Sequence, residues 1–167
     1  MLNFQDLPDE LVLKILSYSE TEELQICGQV SKRIRRISND GTLWVSANLE
    51  KKIVKIELVE MILGKGCRIL NLCCSTILGS LSSNVKSEVR VLNLSGTITC
   101  SGAENVKFLE ELLFSCCSLQ HLVMEDVVVT PKMVVGICKN GKTLQSLNLN
   151  SSYAYLKEII KCCQELK

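Results

Sequence analysis

The sequence predicts an α/β chain: three short helices, then a stack of strand-and-helix repeats sharing one parallel sheet. Three observations carry this. Apolar residues between Leu7 and Ile37 recur at helical spacing. A six-residue apolar template then returns five times from Trp44 onward. Finally, aromatics are 4% of the chain against 47% hydrophobic residues, so the core has to be built from Leu, Ile, Val and Cys.

Pro8 suits the first turn of a helix, where its missing N–H costs nothing. Asp9 and Glu10 follow, where carboxylates meet the positive end of the helix dipole. Leu11, Val12, Ile15 and Leu16 then share a helical face. Thr21 is positioned to cap a second helix carrying Leu24, Cys27 and Val30. A third, with Ile34 and Ile37, is stopped by Asn39-Asp40-Gly41.

The repeats begin at Trp44-x-x-Ala47-x-Leu49 and continue as Cys67-x-x-Leu70-x-Leu72 and Val89-x-x-Leu92-x-Leu94. Leu119-x-x-Leu122-x-Met124 and Leu144-x-x-Leu147-x-Leu149 complete the set. Their starts lie about 22 to 30 residues apart, and with the L-x-x-L-x-L core this is the leucine-rich-repeat signature. Each unit pairs a strand with a returning segment and buries its apolar side only by stacking on neighbours. Val54, Leu58, Met61 and Ile62 predict one returning helix. Ser101-Gly102-Ala103-Glu104 resembles a capping box ahead of Val106, Leu109 and Leu113. Thr130-Pro131 opens a helix with Met133, Val134 and Ile137, and Leu156, Ile159, Ile160 and Cys163 mark the last. Residues 75–88, rich in Ser and Gly, predict a loop-like return. Leu166 is placed to begin another unit, so the repeats are expected to be truncated at the C-terminus.

A net charge of +1 and a pI near 7.4 point neither to a nucleic-acid polyanion nor to a membrane surface. No basic region followed by an apolar run opens the chain, and no stretch approaches the roughly 20 apolar residues of a membrane span. The expected location is nucleus or cytoplasm, where the Asn93 and Asn150 sequons are chance matches. The ten cysteines include the adjacent pairs Cys73-Cys74, Cys116-Cys117 and Cys162-Cys163. Without a Cys-x-x-Cys, and with His121 the single histidine, they read as small buried hydrophobes packing between turns. Neither a metal nor a cofactor is expected. Gly64-Lys65-Gly66 lacks the rest of a phosphate loop. A Cys116–His121 or Cys117–His121 pair has nothing to orient the imidazole.

Leu7-Pro8-Asp9-Glu10-Leu11, Ile15-Leu16-Ser17-Tyr18, Leu24, Cys27, Val30-Ser31-Lys32-Arg33, Asp40 and Leu43-Trp44 fall in a fixed pattern. That pattern resembles the F-box, the adaptor-docking module of cullin–RING ubiquitin ligases. With the repeats, the chain is similar to the F-box and leucine-rich-repeat family. The resemblance implies an F-box at residues 1–44, with leucine-rich repeats over 45–167 forming a curved solenoid whose parallel sheet lines the concave face. It further implies a non-catalytic substrate-recognition subunit. In the family these helices bind a Skp-type adaptor, which tethers them to the cullin scaffold. The matched positions are Leu7, Pro8, Leu11, Ile15, Leu16, Leu24, Val30, Leu43 and Trp44. Ile34 stands where the family has Trp, and Ser19 where it has Leu; both changes weaken apolar burial at the adaptor side.

Side chains alternate across a strand. When the repeat leucines point inward, Asn71, Asn93, Val123 and Asn148 form an outward row, with Cys73, Ser95, Glu125 and Asn150 alongside. Asn71, Asn93, Val123, Glu125, Asn148 and Asn150 are the expected contacts to a target protein. Two other readings remain. A scaffold or inhibitor similar to the ribonuclease-inhibitor family needs no Leu7–Trp44 pattern. A helix-turn-helix DNA binder would use Lys32, Arg33, Arg35 and Arg36 on phosphates, but no array of base-reading side chains accompanies them.

Overall fold

The computed structural model describes residues 4–82, 85–99, 102–149 and 155–166. It begins with helices α1 (Asp9–Leu16), α2 (Thr21–Val30) and α3 (Lys32–Ser38), flanked by 3-10 turns at Phe4–Asp6 and Gly41–Trp44. Pro8 stands immediately before α1. The cap of α2 is Glu20, one residue earlier than expected. The Glu20 N–H donates to Glu23 Oε2 at 2.8 Å, while Thr21 lies inside the helix and is buried. Ser31 Oγ accepts from the Ile34 N–H at 3.1 Å and starts α3.

Among the described residues eight short strands follow, in two parallel sheets. One contains β1 (Ser46–Asn48), β3 (Ile69–Asn71), β5 (Val91–Asn93), β7 (His121–Val123) and β8 (Ser146–Asn148), in that order. The second orders β2 (Ile53–Lys55), β4 (Thr76–Leu78) and β6 (Ile98–Thr99). Every strand of the larger sheet is centred on the fourth position of the sequence template, Ala47 in β1 and leucine in the others. Ala47 pairs with Leu70, Leu70 with Leu92, Leu92 with Leu122, and Leu122 with Leu147. All but the half-buried Leu147 are buried, as are Leu49, Leu72, Leu94 and Met124 two residues on.

A turn of repeating geometry leaves β1, β3, β5 and β7. Lys51, Cys74, Gly96 and Asp126 lie three residues beyond Asn48, Asn71, Asn93 and Val123, and all have positive φ. The left-handed conformation is costly for a residue with a Cβ, and one of these four is glycine. The turns also stack: the N–H groups of Lys51, Cys74 and Gly96 donate to Cys73, Ser95 and Glu125 carbonyls at 2.9, 2.8 and 2.9 Å. Thus the backbone ladder continues past the strands and holds an unfavourable conformation in place.

The returns carry α4 (Ile56–Gly64), α5 (Gly102–Ser115), α6 (Pro131–Lys139) and α7 (Leu156–Cys162). Val54, expected on the first helix, lies in β2 and is buried there. No helix occurs between β4 and β5 among the described residues, matching the irregular return expected for 75–88. Thr130 Oγ1 accepts from the Met133 N–H at 3.2 Å, with Pro131 at the first helical position. The capping box at Ser101–Glu104 falls outside the described side chains. In α7, Ile159 is buried but Ile160 is exposed, so the expected apolar face is narrower than its spacing implied.

One apolar core runs from Val12 to Cys163 and joins the helices to the sheets. Trp44 is the junction: its indole N–H donates to the Ser38 carbonyl at 2.7 Å, and the ammonium of Lys65, just past α4, sits 4.1 Å from its ring centroid. Lys52, beside β2, reaches Glu20 and Glu22 at 2.8 and 3.3 Å. Between later repeats, the buried Asn140 amide bridges elements. It accepts from the Leu119 N–H and donates to the Cys116 and Gly136 carbonyls, each at 3.1 Å.

Candidate functional site

The first three helices cannot bury all their apolar side chains against one another. Leu11, Ile15 and Tyr18, at i, i+4 and i+7, are 51, 46 and 78% exposed. On α2, Ile26 and Val30 are 63 and 74% exposed. Of the residues expected to meet an adaptor, Pro8, Leu11, Ile15 and Val30 are exposed, and Leu7, Ile34 and Leu43 are half-buried. Leu16, Leu24 and Trp44 belong to the chain's own core and have no surface to offer in this conformation. They shape the module from inside. Tyr18 and Ile26 were not among the expected contacts. The Leu11–Ile15–Tyr18 and Ile26–Val30 spacings were the signals for them.

The basic run of α3 is occupied within the module. Arg33 Nε donates to Asp9 Oδ1 at 2.8 Å, and Arg36 pairs with the other Asp9 oxygen. Arg35 Nε donates to the Gly28 carbonyl at 2.8 Å. The Arg33 guanidinium, helped by Arg36, holds the Asp9 carboxyl below its usual pKa. These arginines therefore tie α3 to α1 and α2, a role the phosphate-binding reading had not assigned them.

On the larger sheet, Asn48, Asn71, Asn93, Val123 and Asn148 stand in register as one row. Asn48 extends the expected row by one strand. The oxygens of Asn48, Asn71 and Asn93 accept from the N–H two residues on, at 3.2, 3.0 and 3.0 Å. That is the local bond by which asparagine shapes a turn, so these residues also build the positive-φ corners. Asn71 Nδ2 donates to Asn48 Oδ1 at 3.0 Å, and Asn148 Nδ2 to Glu125 Oε1 at 2.6 Å. Ser95 is buried beneath the row, its hydroxyl accepting from the Glu125 N–H at 3.1 Å. Asn150 lies outside the described residues. The result is a largely polar strip flanked by Glu50 beside β1 and Glu125 beside β7, suited to hydrogen bonding with a polypeptide.

Cysteine packing is only half as expected. Cys67, Cys116 and Cys163 are buried, whereas Cys74, Cys117 and Cys162 are exposed. Each adjacent pair has one exposed member because neighbouring side chains diverge. Burial pushes the Cys67 and Cys116 thiols up to about 11, the opposite of what a nucleophile needs. Cys116 Sγ bonds to the Leu112 carbonyl at 3.3 Å and Cys117 Sγ to the Ser115 carbonyl at 3.6 Å, so neither is engaged with His121. No group of three or more His, Cys, Asp or Glu among the described residues is placed to hold a metal. None of their helices is long and apolar enough to cross a membrane.

Residues 4–50 match the family described as F-box-like. The match covers α1 to α3 and β1, and stops before the remaining strands. The N-terminal region is thus an F-box-like domain. Such domains in general bind Skp-type adaptors of SCF-type ubiquitin ligases, and F-box proteins are generally non-catalytic.

Proposed function

Starting from an F-box-like domain at residues 4–50, we propose that this chain is a substrate-recognition subunit of a cullin–RING ubiquitin ligase. The F-box occupies residues 1–44 and docks the Skp-type adaptor. Residues 45–167 form the leucine-rich repeats, and their outward row engages a target protein. The passage from Leu43-Trp44 straight into a first repeat resembles the S-phase-kinase-associated F-box protein. Work of this kind belongs to nucleus or cytoplasm.

The observation that carries the reading is the exposed Leu11–Ile15–Tyr18 face within the matched domain. Exposed apolar rows of this kind mark interaction surfaces. Trp44, Lys52 and Lys65 then hold the repeats against the docked module. The subunit contributes proximity, raising the local concentration of target near the ubiquitin donor.

Co-expression with a Skp-type adaptor tests this: a stoichiometric complex on size-exclusion chromatography is expected. Separate elution would favour the scaffold or inhibitor reading. In a reconstituted ligase, Asn93→Arg with Asn148→Arg is expected to keep adaptor binding and weaken target ubiquitination. Undiminished ubiquitination would place target recognition outside the row.

A further inference from the structure

We infer that Cys138 and Cys162 form a dithiol modification site, at which a peroxide oxidant closes a disulfide between the C-terminal ends of α6 and α7. The two thiols line one groove together with Phe114, Val134 and Val135. The Cys162 thiol is near enough to help push the Cys138 thiol up. A glycine makes the approach of the two helix ends possible. A Cβ on Gly141 would collide with the Cys162 carbonyl and lie 3.0 Å from the Cys138 carbonyl oxygen.

The two thiols differ in access. Cys162 is exposed and Cys138 half-buried, while the neighbouring Cys163 is buried. Burial, followed by the Cys162 thiol, pushes the Cys138 thiol up to about 12. That order assigns the steps. The Cys162 thiolate attacks hydrogen peroxide, forming a sulfenic acid and releasing hydroxide. The Cys138 sulfur then attacks the Cys162 sulfur; the S–O bond breaks, and the departing hydroxyl leaves as water with the Cys138 proton. In total, two thiols and one peroxide become one disulfide and two waters. The adjacent pairs are poor competitors, because neighbouring Cα atoms are about 3.8 Å apart and disulfides usually span about 4.4–6.8 Å. In a reducing compartment such a bond is transient, as redox-sensing disulfides are.

The test treats the full chain with near-stoichiometric hydrogen peroxide, blocks remaining thiols, and maps unreduced peptides by mass spectrometry. The expected product joins the Cys138 and Cys162-Cys163 peptides, lighter by two hydrogens and restored by a thiol reductant. Cys163→Ser should retain the link, and Cys162→Ser, at an exposed position, should abolish it. In Cys138→Ser, dimedone should trap Cys162 as a sulfenic acid. A link that survives Cys162→Ser, a bond between chains, or full alkylation of Cys138 after oxidation would overturn the inference.

Discussion

On α1, the turn after it and α2, Leu11, Ile15, Tyr18, Ile26 and Val30 face solvent, whereas Leu70, Leu92 and Leu122 of the repeat strands are 1% exposed or less. Both regions contain apolar side chains at regular spacing, yet only one closes over them. A strand residue here has a neighbouring strand on each side and a return behind it. In contrast, a three-helix unit whose α3 is tied by arginines to α1 and α2 leaves the far faces of those helices uncovered. The repeats cover one another; the helices leave apolar faces open to solvent.

Truncation should affect the two regions very differently. Leu92→Ala removes a fully buried side chain from the middle of the ladder and is expected to cost about 2–5 kcal/mol. Ile15→Ala, at an exposed position, should change stability by no more than about 0.5 kcal/mol. Denaturant unfolding of both variants measures the difference, and equal losses would erase the distinction between the regions. Asn140→Leu tests what polar satisfaction adds to the repeats. It strands the Leu119 N–H and the Cys116 carbonyl and should cost about 1–3 kcal/mol, read in the same way.

Thiol labelling sharpens the comparison within the repeats. At neutral pH, Cys74, Cys117 and Cys162 should react with iodoacetamide in the native state. Cys67 and Cys116 should resist until unfolding, since burial holds both thiols at about 11. Early modification of Cys116 would mean that the ladder opens locally. The smallest effect belongs to the arginine clamp. Asp9 titrates below the ordinary carboxylate value of 3.8. Its contribution to stability is therefore present above that value and is lost as pH falls through the lowered one. Unfolding midpoints followed from about pH 5 downward should drop less for Asp9→Asn than for the unaltered chain.

Strands and their register were legible because each L-x-x-L-x-L unit places its central leucine beside the next. The asparagine row followed from alternation alone. Local bonding was less legible. The capping role of Glu20 competes with Thr21 one residue away, and Val54 suits a strand as well as a helix. Burial was hardest to read in the first module. Leu16 and Leu24 share helices with Ile15 and Ile26, and only three-dimensional packing separates inward from outward faces. Asn140 carried no signal, since its value arises from backbone groups brought to it by two other segments.

The central claim is that the exposed α1 face is a docking surface and not part of the fold. Calorimetric titration of a Skp-type adaptor against Leu11→Asp with Ile15→Asp tests it most directly, with thermal unfolding of the same variant alongside. Docking would desolvate two unpaired carboxylates at a cost of several kcal/mol, so affinity should fall by at least about a hundredfold, equivalent to about 2.7 kcal/mol. The unfolding midpoint should stay near that of the unaltered chain. Undiminished adaptor affinity in a folded double variant would contradict the account.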